Sequence, residues 1–207
     1  ETAAPSGDDV AKALREFEGR QMQVPPAASA LKLNGMPLYA YFRKGIEIDV
    51  PAREIEIFSI KLISYSYPRL IIDTECSGGT YIRSLVRDIG ECLGCGGVMS
   101  YLVRTRSGRF HLSESLTMEE LAERKNEISS FSVSMSEAME SYREIKADEK
   151  LMKKVSCGNE FEYPEQSCEG EIFRITDPSG DLAAVGICSP KDGKNIISCK
   201  KVFTGLI

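Results

Sequence analysis

No stretch of this sequence is apolar for long enough to cross a membrane, and no signal-peptide pattern opens it. Neither a membrane-spanning nor a secreted protein is expected, and the localisation reads as cytoplasmic. Histidine is almost absent, since His111 is the only one in the chain. The seven cysteines include one Cys-x-x-Cys pair, Cys92 and Cys95, but neither a second pair nor a histidine follows at zinc-ligand spacing. No metal is expected, and an odd set of thiols without secretory context reads as reduced side chains packed like small hydrophobes. The chain also lacks repeats and low-complexity tracts. An excess of positive charge is missing too, because the net charge is −5.

That acidity is unevenly placed. Residues 1–110 hold 14 basic and 13 acidic side chains, whereas residues 111–150 hold 5 and 10. From Cys76 to Phe110 five arginines face only Asp88 and Glu91. A locally positive face on an acidic protein is compatible with phosphate contact. Arg87 and Glu91, at i,i+4, are equally compatible with a pair on a solvated helix. With 207 residues and 42% hydrophobic side chains, the chain can bury one large core or two smaller ones.

The most informative stretch runs Cys76-Ser-Gly-Gly-Thr-Tyr-Ile-Arg-Ser-Leu-Val-Arg-Asp-Ile-Gly. It reads as a strand end, a glycine turn where positive φ is allowed, and a helix with Thr80 as N-cap. Tyr81, Leu85, Ile89 and Leu93 make one apolar face, while Arg83 and Arg87 project from another. Gly94 to Gly97 ends that helix and leads into an expected strand over Val98 to Thr105. Arg104 and Arg106 would share one face of it, with Arg109 close behind. An arginine held at the mouth of such a turn suits a carboxylate or a phosphate.

Around this core, Asp8 to Arg20 reads as an amphipathic helix, and Pro37 to Lys44 as a short one ending at Gly45. Ile46 to Val50 alternates like a strand, and Arg53–Tyr67 with Arg69–Glu75 reads as an antiparallel hairpin. Thr117-Met-Glu-Glu is a capping box opening a helix to about Lys125, and Ser136 to Ile145 reads as another helix. From Lys146 onward short β-like runs alternate with tight-turn residues, which places a boundary near 145–150.

Several of these segments together resemble the TruB family of tRNA pseudouridine synthases. They are Phe17-Glu-Gly-Arg, Gln23-Val-Pro-Pro-Ala-Ala-Ser-Ala-Leu-Lys32-Leu-Asn-Gly35, Leu38-Tyr39-Ala-Tyr-Phe-Arg43-Lys-Gly45, Gly-Thr-Tyr-Ile-Arg83, Leu93-Gly-Cys-Gly-Gly and Tyr101-Leu-Val-Arg104-Thr-Arg-Ser-Gly108. Their agreement in order makes the resemblance specific, unlike a lone glycine motif. Residues 14–125 carry it closely, and residues 146–207, closing on Lys200-Lys-Val-Phe203, resemble a PUA-type RNA-binding domain.

The resemblance implies an α+β fold. Residues 1–145 would be the C-terminal part of the catalytic domain, a mixed and mainly antiparallel sheet with flanking helices and an RNA-binding loop near 26–50. Residues 146–207 would form a small β-barrel-like PUA domain. The implied reaction converts the T-arm loop uridine (U55) of tRNA to pseudouridine, on a flipped-out base and without metal or organic cofactor. The implied partner is the tRNA T stem-loop, with no membrane and no obligate protein partner, for a monomer.

The family's chemistry rests on an aspartate in a Gly-x-Leu-Asp-x-x-Ala-x-Gly segment. None of the nine aspartates here stands in such a context. The chain, which starts at Glu1 rather than methionine, is therefore read as the C-terminal two-thirds of such an enzyme, inactive alone.

By the resemblance, Arg83 pairs with that aspartate, Tyr81 lines the active site and Leu102 packs near the target base. Lys32, Tyr39 and Arg43 fall in the segment that reaches over the RNA. Each also has a plainer reading. Tyr81 fits a core aromatic on the 81/85/89 face, Leu102 a strand core residue, and Lys32 and Arg43 solvated charges. Arg104 and Arg106 suit phosphate contact or a salt bridge. Rival functions stay open: a non-catalytic RNA-binding or RNA-folding module, the H/ACA-guided relative of the same enzymes, or a Cys-x-x-Cys metal or redox protein.

Overall fold

A computed structural model describes residues 3–203. It forms two compact units divided between Val103 and Arg104.

In the first unit, α1 (Gly7–Glu16) starts at a reciprocal cap. The Asp9 N–H donates to the Ser6 hydroxyl at 3.2 Å and the Ser6 N–H donates to the Asp9 carboxylate at 3.1 Å. The helix buries Val10, Ala13 and Leu14 and ends before Arg20, because Gly19 takes a positive φ of 96° to enter β1 (Gly19–Gln23). A minimal hairpin follows, β2 (Lys32–Leu33) and β3 (Met36–Pro37), turned by Asn34 and Gly35 with φ of 51° and 81°. Then come α2 (Leu38–Arg43), the long β4 (Arg53–Ser66), β5 (Arg69–Cys76) and α3 (Ile82–Cys92).

The sheet order is β1-β4-β5, antiparallel throughout. Two register shifts, at Ile57/Ser59 and Leu62/Ser64, bend β4 along its length. Val10 and Leu14 of α1 and Leu85 and Ile89 of α3 cluster with Ile55, Ile57 and Ile60 of β4. The hairpin expected from alternation is present. Ile46–Val50 and Val98–Thr105, also expected as strands, are irregular. Alternation says which face a strand would bury, not whether a neighbouring strand is there to pair with it.

The C-terminal end of α3 is closed by a backbone contact. The N–H groups of Cys95 and Gly96 both donate to the Gly90 carbonyl, at 3.1 and 2.9 Å. A Cβ at Gly90 would lie 2.2 Å from the Gly96 backbone, and one at Gly97 would lie 2.4 Å from the Val86 carbonyl oxygen. Only glycine permits this approach.

The second unit opens with a hairpin, β6 (Arg106–Ser107) and β7 (Phe110–His111), then α4 (Met118–Glu123) behind the expected Thr117 capping box. Two one-turn helices follow, α5 (Ile128–Phe131) and α6 (Met135–Ala138), and then β8 (Arg143–Lys146) and α7 (Glu149–Ser156). The remaining strands are β9 (Phe161–Tyr163), β10 (Ile172–Thr176), β11 (Leu182–Lys191) and β12 (Lys194–Val202). They form a sheet of order β8-β10-β11-β12-β9, with β8 parallel to β10 and the rest antiparallel. Its core includes Phe173, Ile175, Ala184, Cys188 and Ile197, and Tyr163 meets Phe173 edge-on at 5.1 Å between centroids.

One expectation changes here. The helix expected over Ser136–Ile145 stops at Ala138, because Ile145 is drawn into the sheet core as part of β8. β8 pairs in parallel with β10, so residues 143–146 belong to the same sheet as the strands that follow. Helix α7, which the turn-rich texture concealed, is capped by the Asp148 carboxylate accepting from the Leu151 N–H at 2.7 Å. The whole is α+β, mainly antiparallel with flanking helices. Among the described residues no helix is long and apolar enough to cross a membrane.

Candidate active site

The turn between β5 and α3 is assembled from short local bonds. The Ser77 N–H donates to the Glu56 carbonyl at 2.8 Å and the Ser77 hydroxyl accepts the Glu56 N–H at 2.9 Å. Thr80, expected as the N-cap, instead closes the turn, with its hydroxyl 3.3 Å from that of Ser77. Tyr81 takes the N-cap position in extended conformation and has no side-chain capping bond. The first-turn N–H groups that follow therefore lack an intrahelical acceptor, and no acidic side chain occupies that turn. An uncapped N-terminus of this kind favours an anion.

Three residue pairs hold this turn against the end of β1 and the segment after it. The Tyr81 N–H donates to Gln23 Oε1 at 2.8 Å, and Gln23 Nε2 donates to the Tyr81 carbonyl at 3.2 Å. The Ser84 hydroxyl donates to the Val24 carbonyl at 2.8 Å, and Arg83 Nη2 donates to the Ala28 carbonyl at 2.9 Å. Gln23 and Ser84 are buried, Tyr81 is half-buried, and Arg83 is exposed.

Arg83 and Arg87 differ in how their charge is met. Arg87 pairs with Asp88 at 2.7 Å and with Glu91 at 3.9 Å. Among the described residues Arg83 has no carboxylate partner, and its remaining N–H bonds can meet a carboxylate or phosphate.

The same segment continues into the basic loop. The Tyr39 N–H donates to the Ser29 carbonyl at 2.9 Å and the Leu38 N–H to the Leu31 carbonyl at 2.8 Å, which seats α2. Leu38 is buried beneath it, while Tyr39 stays 42% exposed with the Arg43 guanidinium 5.5 Å from its ring centroid. Lys32 is exposed on β2. An exposed aromatic under a guanidinium, in a segment that also carries an exposed lysine, suits backbone phosphates and an unstacked base.

The structure thus brings Tyr81 and Arg83 together on one turn, and places Lys32 on β2 and Tyr39 and Arg43 on α2, in a segment joined to that turn through Ala28 and Ser29. Leu102 stands in the irregular segment after Gly97, 54% exposed rather than in a strand core. Arg104 and Arg106 belong to the second unit and do not share a strand: Arg104 is irregular, and Arg106 starts β6. Arg109 is met by Glu140 at 3.4 Å and Glu137 at 3.8 Å. Gln23 and Ser84 are the residues that sequence reasoning passes over. A buried glutamine ending a strand has no motif spacing of its own, and its only signal is its place before Val-Pro-Pro. Among the described residues no group of three or more His, Cys, Asp or Glu side chains could hold a metal.

Comparison with known proteins identifies the family. Residues 1–82 match the TruB family pseudouridylate synthase (N terminal domain), and residues 83–153 match the tRNA pseudouridylate synthase B C-terminal domain. A tRNA pseudouridine synthase B of Heliobacterium modesticaldum is 40% identical over 209 residues, covering 98% of this chain and 67% of that protein. That of Clostridium acetobutylicum is 44% identical over 148 residues, covering 72% of this chain and 50% of its own. The chain therefore spans about half to two-thirds of these relatives. Among solved structures, a Cbf5-Nop10-Gar1 complex aligns with a TM-score of 0.77 at 23% identity, covering 98% of this chain and 63% of that one. An archaeal box H/ACA sRNP Nop10-Cbf5 complex gives 0.74 at 21%, again over 98% of this chain. Those two likenesses establish the fold. With the family matches at both ends of the α3 turn, the chain belongs to the TruB family of pseudouridylate synthases.

Proposed function

We propose that the protein isomerises the T-arm loop uridine of tRNA to pseudouridine, and that residues 1–207 supply the arginine side of its active site together with the RNA-contacting loop. The observation that carries this reading is Arg83, fixed by the Ala28 carbonyl at an open helix N-terminus and, among the described residues, without an acid of its own. A guanidinium so placed keeps a neighbouring carboxylate ionised and aimed. That carboxylate is the nucleophilic or base aspartate of a Gly-x-Leu-Asp-x-x-Ala-x-Gly segment, which none of the nine aspartates here provides. Tyr81 lines the site, Leu102 packs near the extruded base, and Lys32, Tyr39 and Arg43 hold the stem-loop. Arg104 and Arg106 contact phosphates. Residues 146–207, with β8 completing their sheet, act as a PUA-like RNA-binding domain. The reaction breaks the C–N glycosidic bond and forms a C–C bond on the same base, so it needs no redox partner.

The test is tritium release from tRNA carrying uridine labelled at C5. The full-length protein should release it, and Arg83→Ala should lose it while still binding tRNA. Residues 1–207 alone should bind tRNA and release none, behaving as an RNA-binding module. Release by residues 1–207, or undiminished release by Arg83→Ala, would overturn the assignment.

A further inference from the structure

We infer that Gln23 is a positioning residue for the reaction: its side-chain amide fixes the Tyr81 backbone, and through it the direction in which Arg83 and the α3 N-terminus face the substrate. This rests on the function proposed above.

The geometry is that of a single rung of β-ladder made by a side chain. A primary amide has one acceptor and two donors, and Gln23 uses one of each on the N–H and C=O of the same residue, at 2.8 and 3.2 Å. Gln23 is 4% exposed and Tyr81 half-buried, so the glutamine amide has little access to water to replace either bond. The cost of losing either is set by the burial of the group left behind.

The alternative device for this position is absent. A helix of this length normally begins with Ser, Thr, Asp or Asn capping its first turn. Here Tyr81 makes no side-chain cap, and Thr80 is engaged with Ser77. The turn is therefore held from outside the helix, which leaves the first-turn N–H groups unoccupied. A conventional cap would fill the place where an anion must sit. Holding the turn by Gln23 keeps the helix start ordered and open together.

The two neighbouring bonds cannot replace it. Ser84 to Val24 and Arg83 to Ala28 act one turn further in and at the tip of a flexible side chain. Neither constrains the Tyr81 peptide itself. Gln23 lies at the end of β1, whose register with β4 pairs it with Arg53, so the clamp refers the turn to the sheet rather than to a loop.

The experiment compares wild type, Gln23→Glu and Gln23→Ala as full-length proteins. Gln23→Ala should lower kcat roughly 10- to 100-fold, the effect expected of misplacing a reacting group by about an ångström, with KM for tRNA changed less than about twofold. Gln23→Glu keeps an acceptor for the Tyr81 N–H but sets a carboxylate oxygen against the Tyr81 carbonyl. Its kcat should recover as pH falls and the carboxyl regains an O–H donor, whereas wild type should not. Amide exchange at Tyr81 to Ser84 should quicken in Gln23→Ala while the exchange of β4 stays unchanged.

An unchanged kcat, or a fall matched by loss of folded protein without the pH-dependent recovery of Gln23→Glu, would overturn the inference. If wild type proves inactive on tRNA, the proposed reaction falls. In that case Tyr81 exchange still decides the clamp: unchanged protection in Gln23→Ala refutes it, and lost protection supports it.

Discussion

The two units spend their polar groups differently. In the second unit, three cations on the sheet are met by acids: Lys191 by Glu160 at 2.6 Å, Lys194 by Glu162 at 2.8 Å and Arg174 by Glu144 at 3.6 Å. Its core holds Phe173, Ile175 and Ile197 fully buried on a five-stranded sheet. In the first unit, Lys32, Arg43 and Arg83 have no acid partner among the described residues, and buried Gln23 and Ser84 bond to backbone. Its three-stranded sheet leaves Met22, Phe58, Ile63 and Ile71 exposed. Both units leave apolar side chains exposed, Phe110, Leu112, Met118 and Ile128 among them in the second, so the difference lies in the cations that the first unit holds without an acid around the α3 turn and the β2–α2 segment. Surface pairs add little stability, so the contrast concerns ligands more than folding.

The sharpest break would come in the second unit's core. Phe173→Ala removes a fully buried ring and should cost about 3–5 kcal/mol, read from urea unfolding monitored on the second unit. Exchange protection in α3 should not follow it. Gly97→Ala probes the other side, since the new methyl meets the Val86 carbonyl oxygen at 2.4 Å. A loss of about 1–3 kcal/mol is expected, with faster proteolysis of residues 98–103. Equal effects of both variants on both units would dissolve the comparison.

Charge reversal addresses what the units hold in readiness. Lys32→Glu with Arg43→Glu should weaken tRNA binding and reduce the slope of log affinity against log salt by about 2, roughly 1 per lost phosphate contact. Reversing Lys191, already paired with Glu160, should change that slope less. The smallest effect concerns pH. The Ser6 hydroxyl and N–H hold the Asp9 carboxyl below its usual value. A carboxylate favoured in the folded state stabilises α1 above the ordinary aspartate range and loses that contribution as pH falls below about 4. Thermal melts of Ser6→Ala should show a weaker dependence on pH across that window.

Much of this was legible in the residues. The Thr117 capping box, the hairpin over Arg53–Glu75, the helix after Gly79 and the α2 segment closing before Gly45 are each set within a few residues by local rules. The ordered motifs also carried the family. Other features were not legible, because they depend on partners distant in sequence. Residues 98–105 read as a strand yet pair with nothing in a sheet among the described residues. Ser136–Ile145 reads as a helix until Ile145 joins β10 in parallel. Thr80 looks like a cap, and Ser77 claims its hydroxyl.

By itself, then, the sequence determined that an arginine would stand at a glycine turn opening a helix, and that a basic, aromatic loop would precede it. Tertiary structure alone decided that Gln23, 58 residues before Tyr81, would hold that turn, and that Arg83 would rest on a backbone carbonyl with no carboxylate partner among the described residues. The physical reason is one of range. Capping, glycine conformations and periodicity act between residues a few positions apart, whereas the burial that gives a side-chain amide its value exists only after β1, β4 and α3 have packed.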